Sequence, residues 1–232
     1  MMRDRLTPGG EIVLAEWART MQRSMLRDMI AVVSQPDILS FAGGLPAPEL
    51  FPTKQFADAV ARVLASDPRA LQYGPPLRPL KAHIVRLMEK RGVACSEEQV
   101  FITTGAQQGL DVLTRLLLNP GGQVLMEETV YTGVQQVVAP LQPEILTVAT
   151  DLETGMDVAA VEHLLQAGAR PAFIYAIPNA HNPLGVTMRP DKRAHLVELA
   201  RRYRVPLVED DPYGLLCYER QPELPLRALD DQ

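Results

Sequence analysis

The feature that most constrains this chain is the change of period near residue 99. From there, short apolar runs alternate with longer segments whose apolar residues return every three to four positions. The runs QVFIT (99–103), QVLME (123–127), EILTVA (144–149), PAFIYAI (171–177) and VPLVEDD (205–211) predict strands. Between them, AQQGLDVLTRLLL (106–118) and residues 131–139, 157–167 and 190–203 predict helices. A helix between two strands cannot be turned as a tight hairpin, so the strands run parallel and helices cover both faces. The expected architecture is α/β, a three-layer α/β/α domain with a mostly parallel sheet.

The first hundred residues read differently. Residues 11–34 have helical spacing through Ile12, Trp17, Met21, Met25, Met29 and Val32. SFAGGLPAPELFPT (40–53) is a Gly/Pro-rich loop, and its Phe41, Leu45, Leu50 and Phe51 lead us to expect that it packs. Residues 54–65 predict a short helix with Thr53 as N-cap. LQYGPPLRP (71–79) is a loop, and residues 77–91 return to helical spacing. After Tyr218 no complete element is expected. The division implied is an N-terminal helical arm over 1–37 and one large domain over 38–232.

Composition narrows the function classes. Of 232 residues, 47% are hydrophobic and 22% charged, as in globular proteins. Net charge is −5 with no basic run, which argues against a nucleic-acid partner. Cys95 and Cys217 form no CxxC pair, so a reduced cytoplasmic protein without a zinc site is expected. No apolar stretch resembles a signal peptide or a membrane span.

Three motifs carry chemistry. In TTGAQQGLDVL (103–113), Gly105 sits between a strand and a helix, whose free N–H groups make an anion site or simply an ordinary joint. In IPNAHNPLG (177–185), Asn182 follows an apolar strand, where α/β sheets gather ligands, or begins an Asn-Pro turn. In VEDDPYG (208–214), three carboxylates end a strand. They could hold a cationic ring nitrogen, suit a metal ion, or form a solvated strand end.

Taken in order, with SFAGGLPAPELFP and LQYGPPLRPL before them, these motifs resemble the fold-type I pyridoxal-phosphate (PLP) enzymes, the class I/II aminotransferases. The closer likeness is to the 2-aminoadipate and kynurenine aminotransferases and to the aminotransferase-like half of the MocR regulators. The likeness runs from about residue 38 to 218. It implies PLP as cofactor, an amino acid and a 2-oxo acid as substrates, and a homodimer. It also implies roles. Asp210 takes the place of the aspartate at the pyridine nitrogen, chosen over Asp211 by the Asp-x-x-Tyr spacing to Tyr213. Tyr213 and Asn182 take the 3-oxygen. Gly105, Ala106 and Gln107 take the phosphate. Tyr131 stacks on the ring, Tyr73 reaches the partner subunit's phosphate, and Gly43 lies near the substrate. Two positions depart from the family pattern: Leu184 stands where Thr is usual, and Ala106 where Ser is common. His181 is assigned no catalytic role.

The same resemblance requires a Schiff-base lysine some tens of residues beyond Tyr213. The four lysines here, Lys54, Lys81, Lys90 and Lys192, all precede it. The expectation is therefore an inactive fragment with an incomplete large domain and no catalytic residue of its own. A PLP-dependent lyase or decarboxylase, a non-catalytic PLP-binding fragment, and a MocR-type effector domain are the alternatives. The last needs a DNA-binding domain ahead of it.

Overall fold

A computed structural model describes residues 13–19, 37–39, 43–75, 77–218 and 221–230. The chain divides into two compact units, residues 20–76 and residues 1–19 with 77–232.

The smaller unit holds a 3-10 turn, Pro48–Leu50, and helix α2, Thr53–Ser66. Thr53 lies inside α2 rather than capping it. The cap position is Pro52, which has no side-chain donor or acceptor to offer. Leu45, Leu50 and Phe51 are exposed, so the described part of the loop does not bury its apolar residues as expected. Gly43 and Gly44 take left-handed backbone in it. Phe41 lies outside the described residues.

In the larger unit, α1 (Glu16–Arg19) is the described part of the predicted N-terminal helix; residues 11, 12 and 20–34 lie outside the described residues. Helix α3 spans Arg78–Lys90. Then α4 (Ala106–Leu117), β1 (Gln123–Glu127), α5 (Thr132–Val138), β2 (Glu144–Val148), α6 (Val158–Gln166), β5 (Ile174–Ala176), α7 (Pro190–Tyr203) and β6 (Leu207–Glu209) follow the expected alternation. The strands form a parallel sheet in the order β2-β1-β5-β6. Its register pairs Leu125 with Leu146 and Ile174, and Tyr175 with Val208. A short antiparallel hairpin, β3 (Thr150–Asp151) and β4 (Gly155–Met156), was not legible as strands. Asp151 builds its turn by accepting from Glu153 N, Thr154 N and the Thr154 hydroxyl.

Side chains alternate across a strand, so each face gets its own core. On one face Leu125, Ile174 and Ala176 pack against Val158, Val161 and Leu165 of α6 and Leu196, Val197 and Leu199 of α7. On the other, Val124, Met126, Tyr175 and Val208 pack against Leu110 of α4 and Val134, Val137 and Val138 of α5. This is the three-layer α/β/α arrangement.

Two expectations are corrected here. QVFIT is not a strand: a 3-10 turn occupies Glu97–Gln99 and residues 100–103 pair with no strand among the described residues. Val100 is buried and Phe101 exposed, so the side-chain alternation survives without a ladder. The segment after Tyr218 is also not elementless. Leu226–Leu229 form a 3-10 turn with Leu226 buried in the core. Glu209 holds that turn, accepting from Leu226 N at 2.8 Å and Arg227 N at 3.1 Å. Burial raises the pKa of Glu209 above the usual carboxylate value, and these two bonds oppose the rise. No described helix is long and apolar enough to cross a membrane.

Candidate functional site

The candidate site gathers at the carboxyl ends of β1, β5 and β6 and at the start of α4. Gly105 is the N-cap of α4, with φ +79°, a backbone that favours glycine. A Cβ there would meet nothing, so the residue is needed for its conformation and not for space. The joint is set locally: the Thr103 hydroxyl donates to Gly105 O at 2.9 Å, and Thr104 N to Gln108 Oε1 at 2.6 Å. No side chain caps α4, so its first N–H groups and its positive dipole end face outward. Ala106 brings no hydroxyl, which leaves the backbone as donor.

Gln107 reaches across to α5, donating Nε2–H to Gly133 O at 3.0 Å. A Cβ at Gly133 would collide with the Tyr131 ring and with Gln107. Glycine at 133 is therefore what lets the Tyr131 ring lie back over the first turn of α5. Tyr131 itself is the α5 N-cap and is half-buried against the apolar cluster around Val134.

The acids at the end of β6 diverge. Glu209 turns to the 3-10 segment, as above. Asp211 meets Arg91 Nη2 at 2.5 Å and accepts from Asn179 Nδ2 at 2.9 Å, with both ion-pair side chains about nine-tenths buried. Gly214 packs onto that ion pair, since a Cβ there would collide with both partners. Asn179 in turn accepts from Arg193 Nη2 at 2.7 Å. Arg193, 1% exposed, also donates to Met188 O, Pro178 O and Leu224 O. Burial lowers its pKa from the ordinary guanidinium value, against the pull of Glu209, Glu223 and Asp211. Asp210 has a different partner: the Tyr175 hydroxyl donates to Oδ2 at 2.6 Å, and Oδ1 has no hydrogen bond among the described residues. The described residues hold no group of three His, Cys, Asp or Glu arranged for a metal ion.

Asn182 sits on the loop after β5, half-buried, with its amide unbonded among the described residues. The loop is closed by His181 N on Val186 O at 2.8 Å, Gly185 N on His181 O at 2.5 Å, and Ala180 N on Thr187 Oγ1 at 3.1 Å. Thr187 thus gives the turn a hydroxyl, although position 184 is Leu. Below it, buried His181 lies 3.1 Å from Glu127 Oε2, and Glu127 Oε1 accepts from the Thr150 hydroxyl at 2.7 Å. Tyr213 is half-buried in the turn after β6, its hydroxyl unbonded among the described residues.

The structure thus links Gln107, Gly133 and Tyr131, and separately brings Tyr175 to Asp210. Asn182 and Tyr213 lie on loops leaving the adjacent strands β5 and β6. Tyr73, fully exposed, and Gly43, in its left-handed turn, belong to the smaller unit. Sequence reading missed Tyr175, Gly133 and the buried chain Arg91–Asp211–Asn179–Arg193. Tyr175 had a signal, being the one polar side chain in PAFIYAI.

The family model for aminotransferase class I and II matches residues 39–230. An aromatic-amino-acid aminotransferase of Thermococcus litoralis is 36% identical over 96% of this chain and 55% of its own length. A 2-aminoadipate transaminase of Thermus thermophilus is 39% identical over 87% of this chain and 50% of its own. The crystal structure of a Pyrococcus horikoshii kynurenine aminotransferase, in complex with PMP, superposes with a TM-score of 0.85 at 36% identity, over 94% of this chain and 56% of that one. The chain spans about half the length of these relatives. With four-fifths of its residues inside the family match and relatives above one-third identity, the chain belongs to the class I and II aminotransferases.

Proposed function

We propose that the protein is a PLP-dependent aminotransferase that moves an amino group between an amino acid and a 2-oxo acid, and that this chain supplies the cradle for the cofactor. The observation that carries the reading is a pair of ends unsatisfied among the described residues: the N-terminus of α4, with no side-chain cap, and the carboxylate of Asp210, with no hydrogen bond to Oδ1. PLP presents a phosphate dianion and a basic ring nitrogen, and these two ends match them in charge. N–H groups of the first turn of α4 suit the phosphate. Asp210 suits a protonated ring nitrogen. The free amide of Asn182 and hydroxyl of Tyr213 suit the ring's 3-oxygen, and Tyr131 suits its face, with stacking on the order of 1 kcal/mol. Bound PLP supplies an electron sink for the carbanion formed at the substrate carbon. The chain's own residues do the rest: the α4 turn fixes position, Asp210 holds a proton on the ring nitrogen, and Asn182 and Tyr213 orient the ring.

We assign Tyr73 to the phosphate of a partner subunit in a cytoplasmic homodimer, and Gly43 to the substrate loop. We likewise propose residues 1–37 as an N-terminal arm and 38–232 as part of the PLP-binding large domain. Three of the four lysines have partners of their own. Lys54 pairs with Asp58, Lys81 donates to Glu97 O, Lys192 donates to Gly155 O, and Lys90 ends α3. We propose that none of these four lysines makes the covalent link to the cofactor.

The test is to titrate the chain with pyridoxamine 5′-phosphate by absorbance, and with PLP followed by borohydride. Saturable binding weakened by Asp210→Ala, with no pyridoxyl group fixed on Lys54, Lys81, Lys90 or Lys192, supports the reading. Binding that ignores Asp210 refutes it.

A further inference from the structure

One buried polar group has no part in the cradle described above. Tyr175 is fully buried on β5, packed in the apolar cluster with Val124, Met126, Val134 and Val208. Phenylalanine would fill that volume without taking a hydroxyl out of water, a transfer that is unfavourable unless the group is bonded. The hydroxyl is bonded, and to a carboxylate: it donates to Asp210 Oδ2 at 2.6 Å, the short distance of a charge-assisted bond. The sheet register produces the contact. Tyr175 is paired with Val208, and Asp210 lies two residues on, so it emerges on the same face. Asp210 N also donates to Ala176 O at 2.9 Å, which carries the pairing of β5 and β6 one bond further and pins the backbone beneath the carboxylate.

These contacts act on Asp210 in two ways. They fix the rotation of its side chain, and they occupy one oxygen while leaving the other open. Burial, then the bond to Asp210 and its charge, push the Tyr175 phenol well above its usual pKa, with smaller contributions from Tyr131 and Glu127 in the same direction. The hydroxyl therefore keeps its proton, and stays a donor, throughout the pH range in which proteins work.

The geometry points to Tyr175 as a positioning residue that holds Asp210 Oδ2 and so dedicates Oδ1 to the cationic nitrogen of a protonated pyridine ring. This rests on the cofactor reading of the site. Tyr175 touches neither the ring nor the substrate; its effect passes through Asp210.

The experiment uses the full chain and pyridoxamine 5′-phosphate labelled at the ring nitrogen. Two quantities are read: the dissociation constant, and the NMR shift of the bound ring nitrogen, which reports its protonation. Tyr175→Phe keeps the ring packing and removes one bond to a charged group. We expect about tenfold weaker binding and a nitrogen shift displaced toward the unprotonated ring. In an Asp210→Asn background the same substitution should change neither quantity further, because the group through which it acts is gone. Wild-type affinity and shift in Tyr175→Phe would overturn the inference. So would an equal loss in both backgrounds, which is the result a purely structural tyrosine gives. If the wild-type chain takes up no pyridoxamine phosphate at all, the cofactor reading falls and this inference with it, an outcome distinct from the other two.

Discussion

Consider Gly133→Ala, where two physical effects oppose each other. Gly133 is the second residue of α5, and helix propensity alone favours alanine there by about 1 kcal/mol. The structure says the reverse. A Cβ at 133 falls on the Tyr131 ring and on the end of Gln107. Both are side-chain ends and can move, but each movement has a cost. Displacing the half-buried ring is an overpacking error of about 1–3 kcal/mol. Pushing Gln107 away breaks its 3.0 Å bond to Gly133 O, worth about 0.5–1.5 kcal/mol. The sum exceeds the propensity gain, so the variant should be less stable by roughly 0.5–3.5 kcal/mol. In a domain of this size that lowers the melting midpoint by roughly 1–14 °C. The same variant should bind pyridoxamine phosphate several-fold more weakly, because Tyr131 and Gln107 both belong to the proposed cradle. Calorimetry and an absorbance titration on one preparation read both. An alanine variant that melts higher than wild type and binds equally well would refute the packing argument.

Three further outcomes follow from the geometry. Arg91→Met leaves the nine-tenths buried Asp211 carboxylate with only Asn179 as partner; urea unfolding should show a loss of about 3–5 kcal/mol, much of it recovered by adding Asp211→Asn. Leu196→Ala removes a fully buried side chain between α7 and the sheet and should cost about 2–5 kcal/mol in the same assay. Asp151 has its pKa lowered from 3.8, chiefly by the Thr154 hydroxyl and then by the N–H groups of Glu153 and Thr154. Its contribution is present above pH 3.8 and is lost as pH falls through the lower folded-state value. Asp151→Asn should therefore flatten the acid limb of a stability-versus-pH curve, and a limb as steep as wild type would count against the hairpin turn described above.

Much of the fold was legible because its signals are local. The helices at 106–117, 158–166 and 190–203 lie within two residues of the positions their apolar spacing indicates. QVLME and EILTVA are strands because each carries a continuous β-forming run bounded by turn residues. QVFIT has the same local character and forms no strand, because a ladder also needs a partner at the right distance, and that is not a property of five residues. The β3–β4 hairpin was missed for the opposite reason: its strands have two residues each, too short for a period, and Asp151 holds the turn by its side chain. The exposed loop residues Leu45, Leu50 and Phe51 show that apolar composition signals a need for cover without supplying it.

At the site the division is sharper. Order and spacing along the chain were enough to place Gly105 at a helix start and Asn182 and the acids after strands, because turns and the elements they join follow one another in sequence. Which acid keeps an oxygen free could not be read that way. Among the described residues, Asp211 is taken by Arg91 and Asn179, Glu209 by Leu226 and Arg227, and Asp210 is shared only with Tyr175. Those partners come from the C-cap of α3, the loop after β5, the 3-10 turn at Leu226–Leu229 and the neighbouring strand. Hydrogen bonds and ion pairs act over a few ångströms, so only the folded chain, which brings distant segments within that reach, decides which of three adjacent carboxylates is left to bind something else.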